Sequence, residues 1–211
     1  AFYVDITKYL TTGDEQIVAV EARDTLDECQ PRGKQSWLPE AHRCWYTQTT
    51  GIWQSVWLEA HDGDFIKRLT VTPDPAACSV KIETALEYGK ADGLTAEIVT
   101  PGGEKITFSR SLSGKRNALT ADIVKPDLID EIQLWSPENP VIYGLNLTLT
   151  LGGKTVDAIK SYFAFREIRV EGDTIYLNNL PLKFKLVLDQ GYWADGGMTP
   201  PSTDALKQDI L

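Results

Sequence analysis

Few side chains here can do chemistry, and their spacing says what they cannot form. The 211 residues hold two histidines, too few for a Ser–His–Asp triad beside a His-based metal centre. His42 falls in a polar loop and could touch a ligand, although a solvent-exposed imidazole is the commoner outcome; His61 ends a strand and reads as surface. No phosphate-cradling glycine loop, CxxC or HExxH occurs. Cys29, Cys44 and Cys78 are odd in number and at no metal-ligand spacing. They read as buried free thiols, with one bridge plus a leftover thiol as the alternative. Neither a metal nor a cofactor is expected. Carboxylates are plentiful, but paired carboxylates hydrolyse only when they face each other at roughly 5–9.5 Å, and spacing nominates no pair. Asp189, behind an expected strand, is the best single functional carboxylate.

The six tryptophans are the other resource. An indole face can stack on the apolar face of a sugar while polar neighbours take its hydroxyls. Four of them, Trp37, Trp45, Trp53 and Trp57, fall between positions 37 and 57. Trp53 and Trp57 share one strand face and read as core or interdomain packing. Trp37, in the loop, and Trp193, behind a strand, stand open between ligand contact and packing. Trp135 precedes Ser136-Pro137 and reads as an anchor. Asn146-Leu147-Thr148 fits a glycosylation acceptor, yet lies mid-strand.

Positioning these groups requires a folded chain, and the composition supplies one: 42% hydrophobic and 24% charged is globular. A net charge of −9 argues against nucleic acid, whose phosphates need surplus Lys and Arg, and disfavours anionic membrane surfaces. No apolar run nears the ~18 residues of a spanning helix, and no charged-then-apolar leader opens the chain. The cysteine usage favours a reducing compartment, so a cytoplasmic location is expected.

The elements are strands almost throughout, and the fold class expected is all-β. Runs rich in Val, Ile, Thr and aromatics occupy Phe2–Ile6, Glu15–Arg23 and Ile52–Glu59. They continue at Phe65–Thr72, Cys78–Tyr88, Leu94–Thr100, Glu104–Leu112, Ala118–Val124, Ile142–Leu151 and Lys154–Ala164. Glu167–Val170, Ile175–Leu177 and Leu182–Leu188 complete the series. Ile52–Glu59 alternates with the period of a half-buried strand. Pro101-Gly102-Gly103 and Gly152-Gly153 mark hairpin turns. Residues 25–44 form a polar loop too long for a simple connection. From 62 to 165 the turn spacing suggests a sandwich of about seven strands. The one helix is Thr203–Leu211, capped by Ser202 after Pro200-Pro201. Its Leu206 and Ile210 share a face that nothing else in the sequence is free to cover, so self-association into a homo-oligomer is expected.

Four motifs, in order, carry a resemblance. Trp45-Tyr46-Thr47-Gln48-Thr49-Thr50-Gly51-Ile52-Trp53 with Val56-Trp57-Leu58 resembles the signature closing the first domain of glycoside hydrolase family 2. Asp5-Ile6-Thr7-Lys8-Tyr9-Leu10 followed by Ile17-Val18-Ala19-Val20 resembles the strand pair upstream of it. Leu134-Trp135-Ser136-Pro137-Glu138-Asn139-Pro140 with Tyr143 is similar to the family's L-W-S-P element. Phe163-Ala164-Phe165-Arg166-Glu167-Ile168, then Ile175–Leu182, is similar to the lead-in to its barrel. The resemblance implies residues 1–61 as the C-terminal part of a galactose-binding-like jelly roll. It implies 62–165 as an immunoglobulin-like β-sandwich and 166–211 as the first strands and first helix of a truncated (β/α)₈ barrel.

By that resemblance the parent is a bacterial-type retaining β-glycosidase with a carbohydrate substrate, and this chain is a fragment cut at both ends. The family's acid/base Glu follows an Asn; no Asn-Glu dipeptide occurs here, so no catalytic residue is carried over. Asp189, Gln190 and Trp193 would sit at the barrel mouth, with Trp37 reaching towards it, as substrate-binding residues. Many members have Asn-Arg-His-Glu where this chain has Gln190, which leaves galactoside, glucuronide and other sugars open. The alternatives are a stand-alone carbohydrate-binding β-sandwich and a purely structural interaction module.

Overall fold

The computed structural model describes residues 2–13, 15–25, 27, 29–124 and 131–211. Asp14 of the expected Thr11–Asp14 turn, and Leu26 and Glu28 of the expected 25–44 loop, lie outside them. The chain divides into two compact units, one of residues 58–186 and one of 1–57 with 187–211. No helix among the described residues is long and apolar enough to cross a membrane.

In the 58–186 unit, alternating apolar residues make seven antiparallel strands. They are β1 (Ile66–Asp74), β2 (Ser79–Leu86), β3 (Gly93–Val99), β4 (Lys105–Ser111), β5 (Arg116–Asp122), β6 (Tyr143–Leu151) and β7 (Lys154–Phe163). One sheet runs β1-β2-β5 and the other β4-β3-β6-β7, the three-and-four layering of an immunoglobulin-like sandwich. The alternation expected from the sequence is the one observed. Val80, Ile82 and Leu86 on β2 turn inwards, as do Leu94, Ala96 and Ile98 on β3 and Leu145, Leu147 and Leu149 on β6. The Gly152-Gly153 turn joins Leu151 to Lys154 with both glycines at positive φ, the backbone a two-residue hairpin demands. Strand β1 passes through Pro73, where an end was expected. Because β1 is an edge strand, the missing proline N–H costs no ladder bond.

Two polar groups fix the sandwich. Asp64 is buried, and its carboxylate accepts backbone N–H bonds from Tyr88 at 2.8 Å, Lys90 at 2.6 Å and Ala91 at 2.9 Å. Burial pushes its pKa up, but the N–H groups of Ala91, Tyr88, Lys90 and Gly89 outweigh that and hold it below the ordinary carboxylate value. The Tyr143 hydroxyl accepts from the Gln133 N–H at 2.8 Å, as in the tyrosine corner of such sandwiches. Burial raises its pKa, with the Gln133 bond partly opposing. Its ring stacks on Phe163 at 5.4 Å and meets Phe165 edge-on at 5.1 Å.

Beyond β7, the chain bridges Leu134 to Phe165 in parallel. It then forms a small sheet of β8 (Ile168–Glu171), β9 (Thr174–Leu177) and β10 (Leu180–Leu182), in the order β10-β9-β8. Asn178 and Asn179 both take positive φ, so the β9–β10 turn closes in two residues and β10 begins at Leu180, earlier than expected. The Asn178 side chain donates to the Trp135 carbonyl at 2.9 Å and accepts from the Glu167 N–H at 3.1 Å. Arg166 lies over the Trp135 ring at 5.1 Å. Trp135 is thus the anchor that its place before Ser136-Pro137 suggested.

Several expectations are corrected. Phe2–Ile6, Glu15–Arg23 and Ile52–Glu59 form no strands, and β10 ends at Leu182 instead of Leu188. A strand needs a neighbour to satisfy its backbone, and these segments meet none among the described residues. Trp53 and Trp57, expected to pack, are more than half exposed. Cys29 and Cys44 are exposed and Cys78 is half-buried, all three free, so none is the buried thiol expected; Cys29 and Cys44 stand in the polar loop, away from any apolar core. His61 stacks on Phe65 at 3.8 Å, with Glu59 at 3.4 Å and Asp157 at 3.9 Å from its two nitrogens, and is exposed at the surface as expected. The helix α1 (Thr203–Ile210) forms as expected, with Ser202 Oγ accepting the Ala205 N–H at 3.0 Å.

Thr84 faces the sandwich interior with its hydroxyl unpartnered. Thr84→Val removes that orphaned group at equal volume and should stabilise the unit by about 1 kcal/mol in urea unfolding. Asp64→Asn should destabilise by about 2 kcal/mol, since an amide N–H₂ must face backbone N–H groups. Asp64 has a lowered folded pKa, so its contribution is full above the ordinary carboxylate range and is lost as pH falls through the folded value. Acid titration should therefore show wild-type stability falling below about pH 4, and a shallower fall in Asp64→Asn.

Candidate functional site

The residues nominated for ligand binding all lie in the unit of 1–57 with 187–211. Its organising piece is a loop stapled at its base. The Tyr46 N–H bonds the Lys34 carbonyl at 2.9 Å and the Ser36 N–H bonds the Tyr46 carbonyl at 2.8 Å, bringing two chain segments side by side. Gln48 Nε2 donates to the Ser36 carbonyl at 2.8 Å, and Gln35 Oε1 accepts the Thr49 N–H at 2.8 Å. Residues 42 and 45 close the far end with reciprocal backbone bonds of 3.1 and 2.9 Å.

Ser36 is the buried pin of this loop. Its Oγ lies 3.1 Å from the Leu38 carbonyl, 2.9 Å from the Glu40 carbonyl and 3.0 Å from His42 Nδ1, and accepts the Leu38 N–H at 3.0 Å. The hydroxyl and His42 Nδ1 share one further hydrogen bond, whose direction the tautomer sets. A serine so enclosed and so occupied is a structural pin. The Ser36–His42 pair is a clamp, and His42 serves the loop.

The clamp orients an aromatic cluster. Trp37 meets His42 at 5.0 Å and 88°, and Trp45 at 5.1 Å and 67°. Its indole is held on two sides yet remains 36% exposed, the condition for a preset stacking platform.

The segment from 187 onwards packs against this loop. Tyr192 stacks on Tyr46 at 4.3 Å and 10°. Lys34 Nζ donates to Gln190 Oε1 at 3.3 Å, and Thr199 Oγ1 donates to the Trp53 carbonyl at 3.2 Å. Gly197 sits so close that a Cβ there would lie 2.6 Å from Thr49 Cγ2. Trp193 is half-buried and pairs its backbone with Gly197 at 2.8 and 3.1 Å.

Trp37, Gln190 and Trp193 therefore belong to one assembly, joined through Lys34 and Tyr46. Asp189 lies in the same turn, but its Oδ1 accepts the Gly191 N–H at 2.8 Å, so part of its carboxylate serves its own loop. Lys34, Tyr46 and Tyr192 went unnominated from the sequence. Tyr46 and Tyr192 each neighbour a tryptophan, a signal that was available; nothing in sequence ties Lys34 to Gln190, 156 positions away. Among the described residues no three His, Cys, Asp or Glu side chains converge as a metal site. The assembly can stack a ring and hydrogen-bond its substituents.

Ser36→Ala should free the loop between 37 and 45. Removing a buried hydroxyl with this many partners costs roughly 1–2 kcal/mol of local stability. Backbone amides at Leu38 and Tyr46 should then exchange roughly five- to thirtyfold faster by mass spectrometry.

Comparison with known proteins places these features. Residues 65–166, the sandwich segment, match the family model of Glycosyl hydrolases family 2. The whole chain aligns at 25% identity with a beta-galactosidase of Thermoanaerobacter pseudethanolicus, and spans 28% of that relative's length. Among solved structures, the beta-glucuronidase of Parabacteroides merdae matches 70% of this chain and 19% of its own, at a TM-score of 0.56 and 16% identity. The beta-glucuronidase of Ruminococcus gnavus matches 70% of this chain and 23% of its own, at a TM-score of 0.53 and 18% identity. At these identities the structural matches speak for the fold.

Proposed function

We propose that the chain belongs to Glycosyl hydrolases family 2, whose model matches residues 65–166, and that it is the non-catalytic scaffold of a retaining β-glycosidase. The observation that carries this is the coincidence of the matched segment, 65–166, with the seven-stranded sandwich. In such an enzyme one carboxylate forms a covalent glycosyl intermediate, while another protonates the leaving group and later activates water. The sequence spacing nominates no such pair, and this chain's contribution is to support the barrel and supply one wall of the sugar site. In that wall Trp37 offers its clamped indole to the apolar face of a pyranose. Gln190, held by Lys34, and Asp189 take hydroxyls, and Trp193 backs them.

The apolar run from Phe184 to Leu188 supports the scaffold reading. Leu186, Val187 and Leu188 are consecutive and exposed, with Phe184 exposed before Lys185, and a continuous apolar run of this kind belongs to a strand covered on both faces. Such a run calls for partner strands that a barrel would provide.

The full-length enzyme should hydrolyse p-nitrophenyl β-glycosides, whereas the 211-residue chain should not. In the full-length enzyme Trp37→Ala should raise KM about tenfold and change kcat less, the mark of lost ground-state binding. Turnover by the short chain, or an unchanged KM, would count against this. A second reading, a stand-alone carbohydrate-binding module, draws on the same rigid and open Trp37. Calorimetry of the short chain with galactosides and glucuronides separates the two: millimolar or tighter binding that Trp37→Ala abolishes favours the module.

A further inference from the structure

Both nitrogens of His61 face carboxylates. Nε2 lies 3.4 Å from Glu59 Oε2, on its own segment, and Nδ1 lies 3.9 Å from Asp157 Oδ1, on β7. A stack sets the plane of the ring: it lies on Phe65 at 3.8 Å and 9°, and Tyr88 meets Phe65 edge-on at 6.4 Å. Asp157 is fixed as well. Its side chain is only 12% exposed, its Oδ2 accepts the Ile66 N–H at 2.8 Å, and its Oδ1 accepts the Ala158 N–H at 3.0 Å. The Ile66 bond crosses from β7 to β1, which are edge strands of two different sheets. Asp157 therefore ties one side of the sandwich, and His61 stands against that tie.

A neutral imidazole carries one N–H and one lone pair, whereas an ionised carboxylate only accepts. In the neutral ring one of the two contacts joins a donor to an acceptor, and the other turns a lone pair towards negative charge. The imidazolium donates at both nitrogens and suits both carboxylates. We infer that His61 is a pH-sensitive clasp: with a proton it fastens the lead-in of residues 58–65 to the β1–β7 side of the sandwich, and without it the lead-in is released. That lead-in carries the chain from the unit of 1–57 into β1. The inference does not depend on the sugar reading.

The other charges around the ring are placed as follows. On the lead-in, Asp62 is exposed, and Asp64 turns its carboxylate to the backbone of Tyr88, Lys90 and Ala91. On β1, Lys67 pairs with Glu87 at 2.7 Å. After β2, Lys90 Nζ lies 5.5 Å from the centre of the Tyr88 ring. On β7, Lys160 lies opposite Asn146, on the face of the strand turned away from Asp157. Among the described residues, Glu59 and Asp157 are thus the carboxylates in ion-pair range of the imidazole. Histidine ordinarily takes its proton near pH 6.5, where carboxylates are ionised. The clasp closes as pH falls through that range and opens as pH rises through it.

Hydrogen exchange of the 211-residue chain, read by NMR and corrected for intrinsic exchange, tests this. The Ile66 amide, held by Asp157, should be about three- to fivefold better protected at about pH 5.5 than at about pH 8, the scale of ion pairs near a surface. The Ile82 amide in the central strand β2 should show no such difference. His61→Gln removes the charge, and His61→Phe keeps an aromatic ring against Phe65 while removing both nitrogens. In either variant the protection of Ile66 should be the same at the two pH values. Equal protection of Ile66 in the wild-type chain would overturn the clasp. So would a difference that Ile82 shares, or one that survives in His61→Phe.

Discussion

The structure depends most on the packing of one ring. Tyr143 opens β6 with its side chain fully buried, and three things converge on it. Its face stacks on Phe163 at the end of β7, its hydroxyl holds the Gln133 backbone, and Phe165 meets it edge-on. Phe163 and Phe165 also meet edge-on at 5.5 Å. A buried tyrosine must find a partner for its hydroxyl, and by taking the Gln133 N–H it fixes where the segment before β6 runs. That segment then delivers Leu134 to the Phe165 bridge and Trp135 to Asn178. The same ring that fills the sandwich core thus determines how the chain leaves it.

The strands from β1 to β7 were readable because most rules agreed there, Pro73 in the edge strand β1 excepted. Alternation gave the strands, and Gly152-Gly153 gave a turn whose backbone only such residues adopt cheaply. The inward residues of β2, β3 and β6 had a facing sheet to bury against. The same alternation at Ile52–Glu59 misled, because period two reports that a segment can be half-buried, not that a neighbour exists to pair with it. β-propensity is a preference for a packed, pleated surface more than a property of the backbone. Where that surface is not supplied, Trp53 and Trp57 stand in solvent.

The nominations at the site had different grounds. Trp37 was open to ligand contact because it lies in a long polar loop, Trp193 because it follows an expected strand, and Gln190 only through the family resemblance. What could not be read is the clamp. Ser36 has no motif, and its role comes from four polar groups within 3.1 Å that tertiary folding collects. The Lys34–Gln190 contact joins residues far apart in sequence, and one sequence carries no signal for such pairs. His42 shows the cost of reading residue types singly: the imidazole that suggested ligand chemistry spends its Nδ1 on holding the loop.

Set beside each other, the clamp and the aliphatic face of β8–β10 obey opposite economies. The loop around Trp37 ties Ser36, Gln35 and Gln48 to its own backbone and leaves the Trp37 indole held yet 36% exposed. The small sheet sets six aliphatics in two rows, with Leu177 buried and Ile168, Val170 and Leu180 mostly exposed. Aliphatic burial is non-directional and scales with area at roughly 25 cal/mol per Å². The order of the loop is thus polar and directional and that of the small sheet apolar, and the Tyr143 cluster holds the sandwich from which that sheet extends.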